Sequence, residues 1–201
     1  IRNKLSMQKL FTLLLVVTTT LMTFGQSTLN ANTTKSSVLW TGRKITKSHN
    51  GEVKIKSGNL IVKNDVLHGG KFVIDMNSMT CEDIKDAEYN GKLLGHLKSD
   101  DFFSVEKHPT ATINITKVFK IKGKENTYSA LANLTIKGIT NEIKIPVTLK
   151  KNSNGKYIAE SKFNIDRSKW DVRFGSDSFF DNLGDKAIKN DIEFAVVVET
   201  L

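Results

Sequence analysis

Apolar and polar residues alternate along much of the chain. "EVKIK" at 52–56, "ATINITKV" at 111–118, "EIKIPVTL" at 142–149 and "IEFAVVVE" at 192–199 all repeat with period two. In a strand, successive side chains point to opposite faces, so Val53 and Ile55 share one face while Lys54 and Lys56 share the other. "YSALANLTI" sets Tyr128, Ala130, Ala132, Leu134 and Ile136 on one face, and its small residues leave volume there. Turn-forming clusters punctuate the runs: "HNG" at 49–51, "KND" at 63–65, "HGG" at 68–70, "KGKEN" at 122–126 and "NSNG" at 152–155. Strands joined by tight turns predict an antiparallel sheet with one apolar face and one Lys-rich wet face. An open sheet of that length exposes two long edges, and closure removes them. The pattern therefore predicts an all-β protein, an extended eight-stranded antiparallel barrel with one or two short helices.

Two regions break the alternation. Between Glu82 and Phe103 the spacing of Tyr89, Leu93 and Leu97 is helical, while Gly91 and Gly95 keep the helix short. From Asp166 to Lys189 the chain alternates poorly and holds Trp170, Phe174, Phe179 and Phe180. It reads as a long covering connection.

The N-terminal segment has a different origin. Arg2, Lys4 and Lys9 precede the apolar run "LFTLLLVVTTTLMTF" at 10–24. Basic residues, an apolar stretch and then small residues form an export signal, with cleavage expected after Gly25. The run is short for a span, which needs about 20 apolar residues. Residues 26–36, "QSTLNANTTKS", are small and polar and read as a disordered linker. The expected organisation is a signal at 1–25, a linker at 26–36 and one barrel domain at 37–201. The expected location is periplasmic or secreted, with no membrane span once the signal is removed. Met7 is an alternative start to Ile1.

Composition narrows the partners. The chain has 201 residues, 39% of them hydrophobic and 25% charged, and a formal net charge of +9. Arg occurs only at 2, 43, 167 and 173, and no Arg cluster is interleaved with aromatics. This is a soluble Lys-rich surface rather than a nucleic-acid interface. Cys81 is the only cysteine, so no internal disulfide forms and Cys81 reads as a small packed side chain.

Candidate chemistry concentrates in "HLKSDDFF" at 96–103 and its echo "SDSFFDN" at 176–182. Asp100 and Asp101 are adjacent, so their side chains diverge in a strand and sit about 100° apart on a helix. They read as turn caps ahead of the aromatic anchors Phe102 and Phe103. The histidines at 49, 68, 96 and 108 show no zinc-ligand spacing, and neither a metal nor a cofactor is expected. His96 can meet a ligand's polar head or lock the helix to the barrel. Arg167 in "DRSKW" can grip a phosphate or carboxylate, or pair with Asp166. Trp40 and Trp170 are flat apolar surfaces for a ligand or for the core.

The chain resembles the YceI-like family of secreted bacterial lipid-binding proteins. The resemblance runs through "SHNGEVKIKSGNL" at 48–60, "GGKFVIDMNSM" at 69–79 and "GHLKSDDFFSVEKHPTATINI" at 95–115. "ANLTIKGITNEIKIPV" at 132–147 and "FNIDRSKWDVRFGS" at 163–176 complete it, over roughly residues 37–200. Ala132 and Asn133 stand where the family often has a glycine. The resemblance implies a lipocalin-like barrel with a long isoprenoid or other amphiphile inside, and no catalysis. The expected function is non-enzymatic binding, storage or transport of such a lipid in the bacterial envelope. The expected ligand-binding residues are Trp40, His96, Phe102, Phe103, Ala130, Ala132, Arg167, Trp170, Phe179 and Phe180. An envelope enzyme or redox accessory built on His96, Asp101 and Asp166, and a ligand-free module, are the alternatives; a homodimer is left open.

Overall fold

The computed structural model describes residues 25–44 and 46–201. The expected export segment, Gly25 apart, lies outside the described residues. Among the described residues nine strands follow in order: β1 (Ser27–Asn30), β2 (Ser37–Lys44), β3 (Ser48–Lys63), β4 (Val66–Asp75), β5 (Thr110–Lys120), β6 (Thr127–Ile136), β7 (Ile139–Lys151), β8 (Tyr157–Asp166) and β9 (Ile188–Glu199). One helix, α1 (Ala87–Lys98), lies between β4 and β5. Strands β2 to β9 form a closed antiparallel ring, in which β2 pairs with both β3 and β9. The eight-stranded barrel with a short helix is therefore present. No described helix is long and apolar enough to cross a membrane.

The alternation does what it predicts. On β6, Tyr128, Ala130, Ala132, Leu134 and Ile136 are all buried. Two-residue hairpins join β3 to β4 at Asn64–Asp65 and β6 to β7 at Lys137–Gly138, all four residues with positive φ. This backbone matches the twist of the strands it joins.

Two readings are corrected. Residues 26–36 are not a disordered linker. Ser27–Asn30 pairs with Asn59–Val62 of β3, and Ala31 bridges Thr200. The segment is held by main-chain bonds, which its polar side chains do not advertise. "HNG" and "HGG" are not turns either; they lie inside β3 and β4. Their glycines serve close approach instead. A Cβ on Gly51 would stand 1.9 Å from the Thr80 carbonyl oxygen, and one on Gly70 2.7 Å from that of Asn59.

Asp86 caps α1 by accepting from the N–H groups of Glu88 and Tyr89, and Ser99 ends the helix. Tyr89 faces solvent, Leu93 is half-buried and Leu97 is buried, so only the second half of α1 packs on the barrel. Asp166 opens a 3₁₀ turn at Arg167–Trp170 by accepting from Ser168 N–H. That turn starts the covering connection, which buries Trp170, Val172 and Ser176.

Candidate functional site: an apolar cavity with a buried guanidinium

The barrel interior contains a cavity of about 180 Å³. All eight ring strands contribute apolar side chains to its wall, among them Val53, Phe72, Ile113, Leu134, Val147, Phe163 and Phe194. Met76, Met79, Leu97, Phe102 and Phe103 add lining from the α1 side.

Arg167 is the chief polar exception on this wall. It is 1% exposed and sits against the Phe102 ring. Its Nη1 donates to the Val172 carbonyl at 2.6 Å, Nη2 to Ile188 at 3.0 Å and Nε to Lys189 at 3.2 Å. Among the described residues, no carboxylate lies within salt-bridge distance of it. Asp166, the expected partner, is occupied by Ser168. Burial pulls the Arg167 pKa below its ordinary value, and the charges of Asp166 and Asp177 oppose that pull. A guanidinium stays ionised in proteins. The wall therefore carries a positive charge whose direct hydrogen-bond partners are carbonyls, with Asp166 and Asp177 acting only from beyond salt-bridge distance.

The ring is not uniformly laced. Strands β7 and β8 pair over only four residues each, Thr148–Lys151 with Tyr157–Glu160. Beyond that ladder, Pro146 has no N–H to give, and the Ser161 hydroxyl donates to the Pro146 carbonyl at 2.6 Å. Glu160 and Ser161 both line the cavity at this seam.

The ten expected binding residues separate by location. Trp40, Phe102, Phe103 and Arg167 line the cavity. Ala130 and Ala132 point inward but are fully covered and lie off its wall. Trp170 is buried with Nε1 donating to the Leu134 carbonyl at 3.0 Å. His96 packs edge-on against Phe174, ring centroids 4.3 Å apart, and also neighbours Phe102. Phe179 and Phe180 face solvent. The echoed segments share one turn, since Phe102 N–H bonds to the Ser99 carbonyl and Phe179 N–H to that of Ser176. Asp100 accepts from Ser104 and Lys107 side chains instead of capping backbone, and Asp101 is exposed.

One convergence has no linear signal. His49 of β3 meets Cys81 and Asp83 of the loop before α1, with potential metal-ligating atoms within 4.8 Å of one another. Asp83 accepts from His49 at 2.8 Å, from Cys81 at 3.3 Å and from Asn50 N–H at 2.9 Å. Partial burial pushes its pKa upward, but these three donors prevail and bring it down to about 2. The group satisfies itself as a latch between β3 and the loop.

The pattern of the YceI-like domain matches residues 29–200, and the chain belongs to that family. Among curated proteins, none matches by sequence. Several solved structures share the fold. BcnA of Burkholderia cenocepacia is 20% identical with a TM-score of 0.68, covering 85% of this chain and 99% of its own. A domain from Saccharophagus degradans, described as polyisoprenoid binding and implicated in plant cell wall breakdown, is 14% identical with a TM-score of 0.62. The match covers 88% of this chain and 98% of that one. The YceI protein of Campylobacter jejuni is 20% identical with a TM-score of 0.52, over 68% of this chain and 74% of its own.

Proposed function

We propose that this chain binds a long apolar lipid, a polyisoprenoid or comparable amphiphile, inside the barrel, and stores or carries it in the bacterial envelope without catalysis. The observation that carries the reading is the apolar cavity with the Arg167 guanidinium buried in its wall. An apolar tail leaves water there, at about 0.8 kcal/mol per buried CH₂. An anionic head, phosphate or carboxylate, supplies the direct ion pair that no described carboxylate makes with Arg167. The polyisoprenoid-binding description of the Saccharophagus degradans domain supports the same ligand class. The export signature at 1–25 supports an envelope location.

The catalytic alternative has less support. His96 is packed between phenylalanines, Asp101 is exposed and Asp166 caps its own turn, and no hydrogen bond joins the three among the described residues. Mass spectrometry of lipid co-purified with the protein tests the proposal. A long-chain amphiphile at one per chain is expected, with a negative heat-capacity change when apo protein is refilled. Apo protein that takes up neither isoprenoids nor fatty acids overturns the carrier reading in favour of a ligand-free module.

A further inference from the structure

The two indoles of this protein are in opposite states. Trp170 Nε1 donates to the Leu134 carbonyl. Trp40 Nε1 has no hydrogen-bond partner among the described residues. Trp40 is 8% exposed and lines the cavity, and its Nε1 exposes less than 1 Å². Indole nitrogen only donates, so an acceptor must come to it. Buried donors are almost always paired, because an orphan keeps its full desolvation cost. Water is a poor candidate, since apolar cavities stay dry.

The fold holds this donor in place. Trp40 sits in β2 between Gly51 of β3 and Phe194 of β9. Its Cζ2 lies 3.0 Å from where a Cβ on Gly51 would stand, so the ring rests on bare backbone. Met76 and Met79 line the same cavity, and unbranched thioether chains shift without breaking hydrogen bonds. Met79 adjoins Thr80, whose carbonyl and the Trp40 ring both stand beside Gly51, so a flexible chain is available at this part of the wall.

The donor and the cation are also anchored at different points along β9. Arg167 bonds to the carbonyls of Ile188 and Lys189, whereas Trp40 pairs with Phe194 on the same strand. Six residues of strand separate Ile188 from Phe194, roughly 20 Å at the usual rise. The two donors are thus anchored at different levels of β9.

We propose that Trp40 Nε1–H is a ligand-binding donor, and that the natural ligand carries an uncharged oxygen acceptor there, as a carbonyl, ether or hydroxyl, instead of being bare hydrocarbon along its length. This rests on the lipid-binding reading and adds a second polar contact, neutral and separate from Arg167. The probes are a long methyl ketone and the alkane of equal carbon count. Each is titrated into ¹⁵N-labelled protein while the two indole N–H resonances are followed. The ketone is expected to move the Trp40 resonance downfield and leave Trp170 in place; the alkane is expected to bind without the downfield shift. Trp40→Phe keeps an aromatic ring and removes the donor, and is expected to weaken the ketone on the order of tenfold more than it weakens the alkane. If both probes bind and the Trp40 resonance responds to them alike, the assignment falls and the lipid reading stands. If neither binds, both fall.

Discussion

Arg167 and Phe102 meet at the cavity wall, the guanidinium carbon 5.2 Å from the ring centroid. One comes from the turn after β8 and the other from the loop after α1. The contact puts the buried cation on an aromatic face, where the ring quadrupole favours it.

Arg167→Met removes that charge while keeping an extended apolar chain. It also leaves the carbonyls of Val172, Ile188 and Lys189 without their donor. Affinity for a phosphate- or carboxylate-headed lipid is expected to fall by about 1–3 kcal/mol, with neutral lipids affected less. Isothermal titration with head-matched pairs measures the difference; equal losses for both heads would remove Arg167 from ligand recognition.

Filling the cavity discriminates wall from core. Ala111 and Ala159 line the cavity, whereas Ala130 and Ala132 are fully covered off its wall. Ala159→Leu is expected to fold normally and exclude the lipid. Ala130→Phe is expected to overpack the barrel and lose about 1–3 kcal/mol of stability. Melting temperature and lipid content, measured on both variants, check the pair.

The latch at His49, Cys81 and Asp83 makes a pH prediction. The Asp83 pKa is lowered from an ordinary 3.8 to about 2 in the folded protein. Its stabilisation is therefore fully present above about 4 and is lost as pH falls through about 2. Asp83→Asn is expected to flatten that part of the acid-stability profile, as read from melting temperatures between pH 5 and pH 2.

Cys81 is expected to be inert. Burial raises its thiol pKa, and the neighbouring Asp83 carboxylate adds to the effect. The nucleophile is the thiolate, so a thiol-specific disulfide reagent should label native protein far more slowly than unfolded protein. Cys81→Ser keeps a donor toward Asp83 and is expected to change melting temperature and lipid binding little. Rapid native labelling would show the loop open.

The barrel was legible because strand burial and side-chain alternation share one period, as on β6. Strand β1 was not, because "STLN" enters the sheet through its backbone and offers only Leu29 as an apolar signal. Gly51 and Gly70 carried a real message, close backbone contact, that in linear sequence looks like a turn. Arg167 was visible as a cation, but its lack of a carboxylate partner depends on which carbonyls the covering connection brings round. Trp40 was visible as an aromatic; its unpaired nitrogen is a property of three-dimensional packing. The meeting of His49 with Cys81 and Asp83 is non-local and left no spacing to read.

The closure of the ring between β2 and β9 governs when the protein can come into being. Strand β9 supplies Phe194 beside Trp40, and the residues at its start supply two of the three carbonyls around Arg167. During synthesis none of these is present until nearly all the strands have been made. Such long-range pairing is slow, and apolar strand faces stay exposed in the meantime. A nascent chain lacking β9 is thus an open, sticky sheet with no lipid compartment, and it acquires one only as the last ring strand docks against the first.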